Sequence, residues 1–352
     1  MIDVKFYMKV HSLKQAILRG ELKGADKNRI RERFEEMRSK KPVVYDAETT
    51  NACNMKCIMC PRNLMTRPIT LMDMELFKKI LDQIEPINED IWNNWVEFVG
   101  KEYGIGQDEK SENHFFLYVI PKVLVLHGYG EPFLDKHMPE RIKFLSEKNI
   151  PSYFSATPAN INIDNAEEIF ANGLTYIKFC IESIDDDKQK KIRGPAADFT
   201  ESKKKIFKLL ELKKKHNYKT AIIITMTGLD YDWQKEEFEK LKVFFKDEEV
   251  YVYFKSQNQK WFQDKDSITK SIHWAEFCQF PWSSMTIKSN GKAVGCIGDY
   301  DAELIVGDTK KETLYDIWNG RKYAQLRREQ FGTPLDCKCA KRCDMKMAGD
   351  LL

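Results

Sequence analysis

The sequence predicts an α/β protein: a partial (β/α)6 barrel of TIM-like form, followed by a small cysteine-bearing C-terminal module. Three observations carry that reading. Apolar runs of strand length alternate six times with segments of helical periodicity, which implies parallel pairing through right-handed crossovers. Cys53, Cys57 and Cys60 follow the first of those runs at once. Cys278, Cys296, Cys337, Cys339 and Cys343 gather near the other end.

Residues 1–42 read as a charged helical extension that Pro42 stops. The barrel is expected over 43–260. Its first strand, "VVYDAETT", runs straight into "NACNMKCIMC". Met74, Phe77, Ile80, Leu81 and Ile84 then recur at helical spacing. "KVLVLHG" is the second strand, leading through "YGEP" to the helix "MPERIKFLSEKN". "SYFSA" leads to a helix around "NAEEIFANG", and "YIKFCIES" to a loop and a lysine-rich helix. "AIIITMTG" with "WQKEEFEKLKVFF", then "VYVYFKS", complete the six. In such folds ligands sit at the C-terminal ends of the strands, where the triple-cysteine loop falls. Residues 261–352 are left for the module.

The 87–120 insertion does not fit the alternation. Trp92, Trp95, Val96 and Val99 predict a short amphipathic helix in it, and "GIGQDEKSEN" an exposed loop. It reads as a packed surface insertion or, alternatively, as a lid or partner surface.

Of the 352 residues, 42% are hydrophobic, enough for one large core or a core plus a smaller domain. Lys and Arg total 57 against 54 Asp and Glu, so no strong field is available to hold nucleic acid or an anionic membrane. The lysines of "ESKKKIFKLLELKKKH" form the solvated side of a helix whose inner face is Ile206, Leu209 and Leu210. The start of the chain lacks the apolar run of a signal peptide, and no stretch approaches the roughly 18 apolar residues of a membrane span. A cytoplasmic, reducing setting is expected, in which nine cysteines argue for metal or redox chemistry over disulfides.

Thiols at i, i+4 and i+7 also suit a buried helical stripe. Three further blocks match in the right order, and with them the chain resembles the radical S-adenosylmethionine (SAM) enzymes. Cys53, Cys57 and Cys60 match their C-x3-C-x2-C signature, with Met59 in the apolar place before the last cysteine. "HGYGEP" is similar to their Gly-Gly-Glu-Pro motif, "FCIESIDDDKQKKIRG" to their fourth-strand block, and "VVYDAETTNACN" to the lead-in. The resemblance implies a 4Fe–4S cluster held at three corners by Cys53, Cys57 and Cys60, with SAM on the open fourth iron. Reductive cleavage would release a 5′-deoxyadenosyl radical, the cofactors carrying the hard chemistry. It further implies SAM contacts for Met59, Gly128, Gly130, Glu131, Glu182 and Arg193, and a reductant such as flavodoxin or ferredoxin. A surface salt bridge is the alternative for Arg193. Thr157 in "SATPA" departs from the T-N-G that relatives often show.

Period 2 along "YIKFCIES" puts Lys178, Cys180 and Glu182 on one face, Phe179 and Ile181 on the other. Cys180 is either a small buried residue or a thiol that donates a hydrogen atom to a substrate radical, as epimerases of that family require.

At the other end, Cys278-x12-Gly291-x4-Cys296 resembles the opening of the SPASM or shorter twitch modules, a β-hairpin plus helix that holds auxiliary 4Fe–4S clusters. A full SPASM module has seven cysteines. Cys278, Cys296, Cys337, Cys339 and Cys343 suffice for one second cluster with one to spare, and which four bind it stays open. Tetrahedral zinc is the structural alternative.

The function implied is hydrogen abstraction from a small polar substrate, sugar or aminocyclitol-like. A two-electron oxidation would follow, with the auxiliary cluster as electron acceptor. A ribosomal-peptide maturase forming thioether or carbon–carbon links is one other reading, and an epimerase using Cys180 is a second. A zinc-stabilised binding protein would need neither the HGYGEP nor the IRG block.

Overall fold

The computed structural model describes residues 1–19, 21, 27–255 and 278–330. Six parallel strands form its centre: β1 Val44–Ala47, β2 Leu124–Val125, β3 Ser152–Ala156, β4 Tyr176–Cys180, β5 Ala221–Thr227 and β6 Val250–Lys255. They pair in chain order. The crossover helices begin where side chains cap free amides: Asp73 accepts from Leu76 N before Met74–Leu81, and Asn162 from Asn165 N before Ile163–Ala171. After β4 the expected loop is itself helical over Asp186–Arg193, because Asp185 caps Lys188 N; Asp198 then starts Phe199–His216 afresh.

The sheet does not close. On the free side of β1 lies β7 (Met285–Ile287), parallel to it, then the antiparallel strands β8 (Lys292–Val294) and β9 (Ile305–Asp308). Among the described residues the module therefore exceeds a hairpin plus one helix, with a third strand and the helices Phe280–Ser283, Leu314–Asn319 and Arg321–Glu329. Gly307 permits this packing, since a Cβ there would stand 2.5 Å from Ile317 Cγ1. Met285, Ile287, Leu314 and Trp318 share one core with Val44, Leu76 and Phe77, so both parts of the chain bury a common apolar interior.

Inside the barrel, period 2 builds two tiers. The lower one is apolar: Val125, Tyr153, Ile223 and Tyr253 pack with Phe115, which the insertion delivers beneath the sheet. The Phe115 ring stands 5.4 Å from Tyr153 and 5.7 Å from Tyr253, centroid to centroid. Two residues further along the strands the wall turns polar, with His127, Ser155, Lys178, Thr225 and Lys255.

The insertion begins with the helix Glu89–Tyr103, whose Trp95 and Val99 pack on Ile2, Val4 and Tyr7, and ends in the short helical segments Glu112–His114 and Phe115–Val119. Trp95 Nε1 donates to the Leu117 carbonyl at 2.7 Å. None of its residues lines the barrel-mouth cavity. The N-terminal extension forms two helices, Val4–Leu18 and Lys27–Met37, the second ending ahead of Pro42. Among the described residues no helix is long and apolar enough to cross a membrane.

Candidate active site

The loop after β1 is tied to the end of the helix Asp186–Arg193. Lys56 N donates to the Arg193 carbonyl at 3.0 Å and Ile58 N to the Ile192 carbonyl at 2.9 Å. Gly194, at φ 106°, makes that approach possible: a Cβ there would meet Lys56 N at 3.0 Å. Cys53, Cys57 and Cys60 are free thiols, each half-buried. They share one cavity of about 270 Å³ with Met59, Gly128, Gly130, Glu131, Cys180 and Arg193. A larger cleft of about 600 Å³ opens beside residues 1–5 and 37–43, away from these thiols.

Glu182 stands just outside the lining and is fully buried. Its Oε1 pairs with Arg193 Nη2 and its Oε2 accepts from Thr227 N at 2.6 Å. Arg193 Nη1 reaches Cys57 Sγ at 3.6 Å. Arg193 is thus in no surface salt bridge, because its helix ends against the cysteine loop and turns the side chain inward. Glu131, 3% exposed, accepts from Thr157 N at 3.0 Å and Phe133 N at 3.4 Å. Burial nonetheless raises it to about 7. Thr157 serves Glu131 through its backbone N and its side chain, and Asn160 adds a further side-chain hydrogen bond.

Gly130 lies where a Cβ would fall on the Thr50 carbonyl and 2.9 Å from Asn51 Cα. At Gly128 a Cβ would meet Glu48 Oε1 at 2.5 Å. Sequence reasoning passed over Glu48, although it stands in the "DAETT" lead-in. It is fully buried and takes a bidentate pair from Arg67, at 2.7 and 2.5 Å. It also accepts from Tyr129 N at 3.2 Å and Ser289 N at 3.1 Å, so it fastens the cysteine loop to the loops after β2 and β7. His127 was also missed. Its Nδ1 accepts from Ser155 N at 3.1 Å, and burial with nearby Lys178 holds it down to about 3, a neutral ring.

Burial pushes the Cys53 thiol up to about 11 and raises Cys57 and Cys60 above the ordinary cysteine value. Thiolates so placed need strong compensation from a bound cation. Among the described residues no three His, Cys, Asp or Glu side chains converge on a single metal ion. Three thiols lining one cavity suit a group held at three corners, as a four-iron cluster is.

In the module, Cys278 is buried, and Cys296 accepts from Gly298 N at 3.3 Å. Burial holds the Cys296 thiol up at about 11. Cys337, Cys339 and Cys343 lie outside the described residues.

The site thus combines a parallel partial barrel, three thiols after β1 and a cysteine-bearing module beyond the barrel. Residues 278–344 match the family model of SPASM, an iron-sulfur cluster-binding domain. Among solved structures, hexahistidine-tagged anSMEcpe with bound AdoMet aligns at a TM-score of 0.50 and 14% identity, over 86% of this chain and 85% of that one. SuiB of Streptococcus suis bound to the precursor peptide SuiA gives 0.50 and 12%, over 88% and 72%. BtrN in complex with AdoMet and 2-DOIA gives 0.47 and 12%, over 86% and 92%. No curated protein matches the chain in sequence. The expected fold holds, and the match over residues 278–344 falls where the cysteine-bearing module was expected.

Proposed function

We propose that this chain is a radical SAM oxidoreductase that abstracts hydrogen from a small polar substrate and oxidises it by two electrons. One observation carries the reading: Cys53, Cys57 and Cys60 face a single cavity with Gly128, Gly130, Glu131 and Arg193 at the C-terminal ends of the parallel strands. When bound, a 4Fe–4S cluster with SAM supplies radical hydrogen abstraction, and a second cluster in the module supplies an acceptor for the remaining electron. A flavodoxin or ferredoxin is the reductant class this implies.

The chain's own residues supply the rest. Glu131 presents a buried carboxylate at the motif where relatives hold the methionine amino group. Arg193, kept charged by Glu182, brings a cation to the thiolate of Cys57. Gly128 and Gly130 leave the loop close against β1. Ser155, Thr225 and Thr227 offer hydroxyls to a polar substrate, and the aromatic tier beneath closes the barrel floor against water. Cys278 and Cys296 contribute to the second site together with cysteines of 337–343.

The test is metal content after anaerobic purification of the native chain and of a Cys53→Ala, Cys57→Ala, Cys60→Ala variant. About eight irons in the native chain and about four in the variant are expected. A variant holding one zinc and no iron would make the module structural and remove the electron acceptor.

A further inference from the structure

The polar tier of the barrel is not electrically neutral. Lys178 on β4 and Lys255 at the end of β6 both line the cavity that the three thiols face. The Lys178 ammonium stands 4.7 Å from the Phe115 ring centroid and 5.7 Å from that of Tyr153, so aromatic faces hold it inside the barrel. Among the described residues neither lysine is in a salt bridge. The acids whose charge reaches both are Glu112 and Glu182, and Glu182 is engaged by Arg193 and Thr227 N. His127, on the same polar tier, is neutral and adds no negative charge.

Two half-buried ammonium groups lining one small cavity repel each other unless a counter-charge joins them. Burial first, then mutual repulsion, holds Lys255 below its ordinary value, and burial does the same to Lys178. An oxyanion placed between them would restore both charges and gain charge-assisted hydrogen bonds. A cationic amine would meet like charge at close range.

We infer that the substrate of this cavity carries an oxyanion, a carboxylate or a phosphate, that docks on Lys178 and Lys255 while Ser155, Thr225 and Thr227 take its hydroxyls. This rests on the small-polar-substrate reading above and narrows it: sugar acids or sugar phosphates in place of aminocyclitols.

Cys180 supplies the probe. It shares a strand face with Lys178, two residues on, and lines the same cavity. Cluster-loaded protein is treated with iodoacetate or with iodoacetamide, and modification of the Cys180 peptide is followed by mass. Neutral iodoacetamide reports access alone; iodoacetate reports access and anion attraction. The iodoacetate-to-iodoacetamide rate ratio is expected to fall about tenfold in Lys178→Met and in Lys255→Met, the loss of one charge-assisted contact. Lys178→Arg and Lys255→Arg should keep it. Inorganic phosphate and acetate are each added as protectants, and the stronger protectant tells phosphate from carboxylate. Calorimetric titration with inorganic phosphate gives the same comparison without alkylation. Native protein that neither favours iodoacetate nor binds phosphate, or Met variants that behave as the native protein does, would overturn the inference. Failure of the radical SAM reading shows separately, as a chain without iron on Cys53, Cys57 and Cys60.

Discussion

Arg193 joins the end of one crossover helix to the cysteine loop: its Nη1 lies 3.6 Å from Cys57 Sγ while Glu182, fully buried, pairs with its Nη2. Two charges of opposite sign are thus set behind one thiol. Removing only the cation leaves the Glu182 carboxylate buried with Thr227 N as its remaining donor. Arg193→Met should cost about 3–5 kcal/mol in urea unfolding, and adding Glu182→Gln should recover part of that loss. Equal stability of single and double variants would show that the pair is not coupled.

Glu131 gives a pH signature. Its folded-state value of about 7 lies above the ordinary glutamate value of 4.5, so between those limits the folded chain binds more protons than the unfolded one. Stability therefore falls as pH rises through that window and levels off above it. Across the window, native protein without SAM should lose about 3 kcal/mol more than Glu131→Gln. Unfolding at several pH values checks this. SAM affinity should correspondingly rise from pH 6 to 8 in the native protein and stay flat in the variant, since an amino group favours the ionised carboxylate.

The two motif glycines should differ in tolerance. A Cβ on Gly130 collides with the backbone of residues 50–51, which cannot yield without moving the cysteine loop. On Gly128 it meets the Glu48 side chain, whose carboxylate Arg67 holds. Gly130→Ala is expected to abolish iron retention at Cys53, Cys57 and Cys60; Gly128→Ala should reduce it less. Iron and sulfide per chain decide the order.

Cys180 separates oxidation from epimerisation. Its Sγ lies 3.2 Å from Ser155 Oγ and 3.7 Å from Thr225 Oγ1, a small polar niche in the wall. In the oxidation reading Cys180→Ala keeps turnover within about threefold, a substitution away from the reacting atoms costing under ~0.7 kcal/mol. Product made in deuterated solvent should then carry no solvent deuterium on carbon. Deuterium in the product, lost in Cys180→Ala, would point to an epimerase.

Much of the fold was legible because it is written locally. The strand runs and the helical spacing of Met74, Phe77, Ile80 and Leu81 are properties of neighbouring residues, and so is the face shared by Lys178, Cys180 and Glu182. Glu48 was not legible, since a lone acid at a strand end has no period. Its importance arises from Arg67 and Ser289, which are distant in the chain.

By itself the sequence determined the order of β and α units, the three thiols at the carboxyl end of the first strand and the family of the C-terminal module. Each is fixed by short-range chemistry: period 2 or 3.6, turn residues and cysteine spacing. Only the tertiary structure decided that β7 lies against β1, so that the module and the barrel bury one core. It also decided that Arg193 turns onto Cys57 and that Lys178 and Lys255 line the same cavity. Those meetings depend on parallel register across β4, β5 and β6, where Lys178 pairs with Ile223 and Ile223 with Tyr251. Register of that kind is set by burying one face of every strand at once, a condition on the whole sheet that no single segment contains.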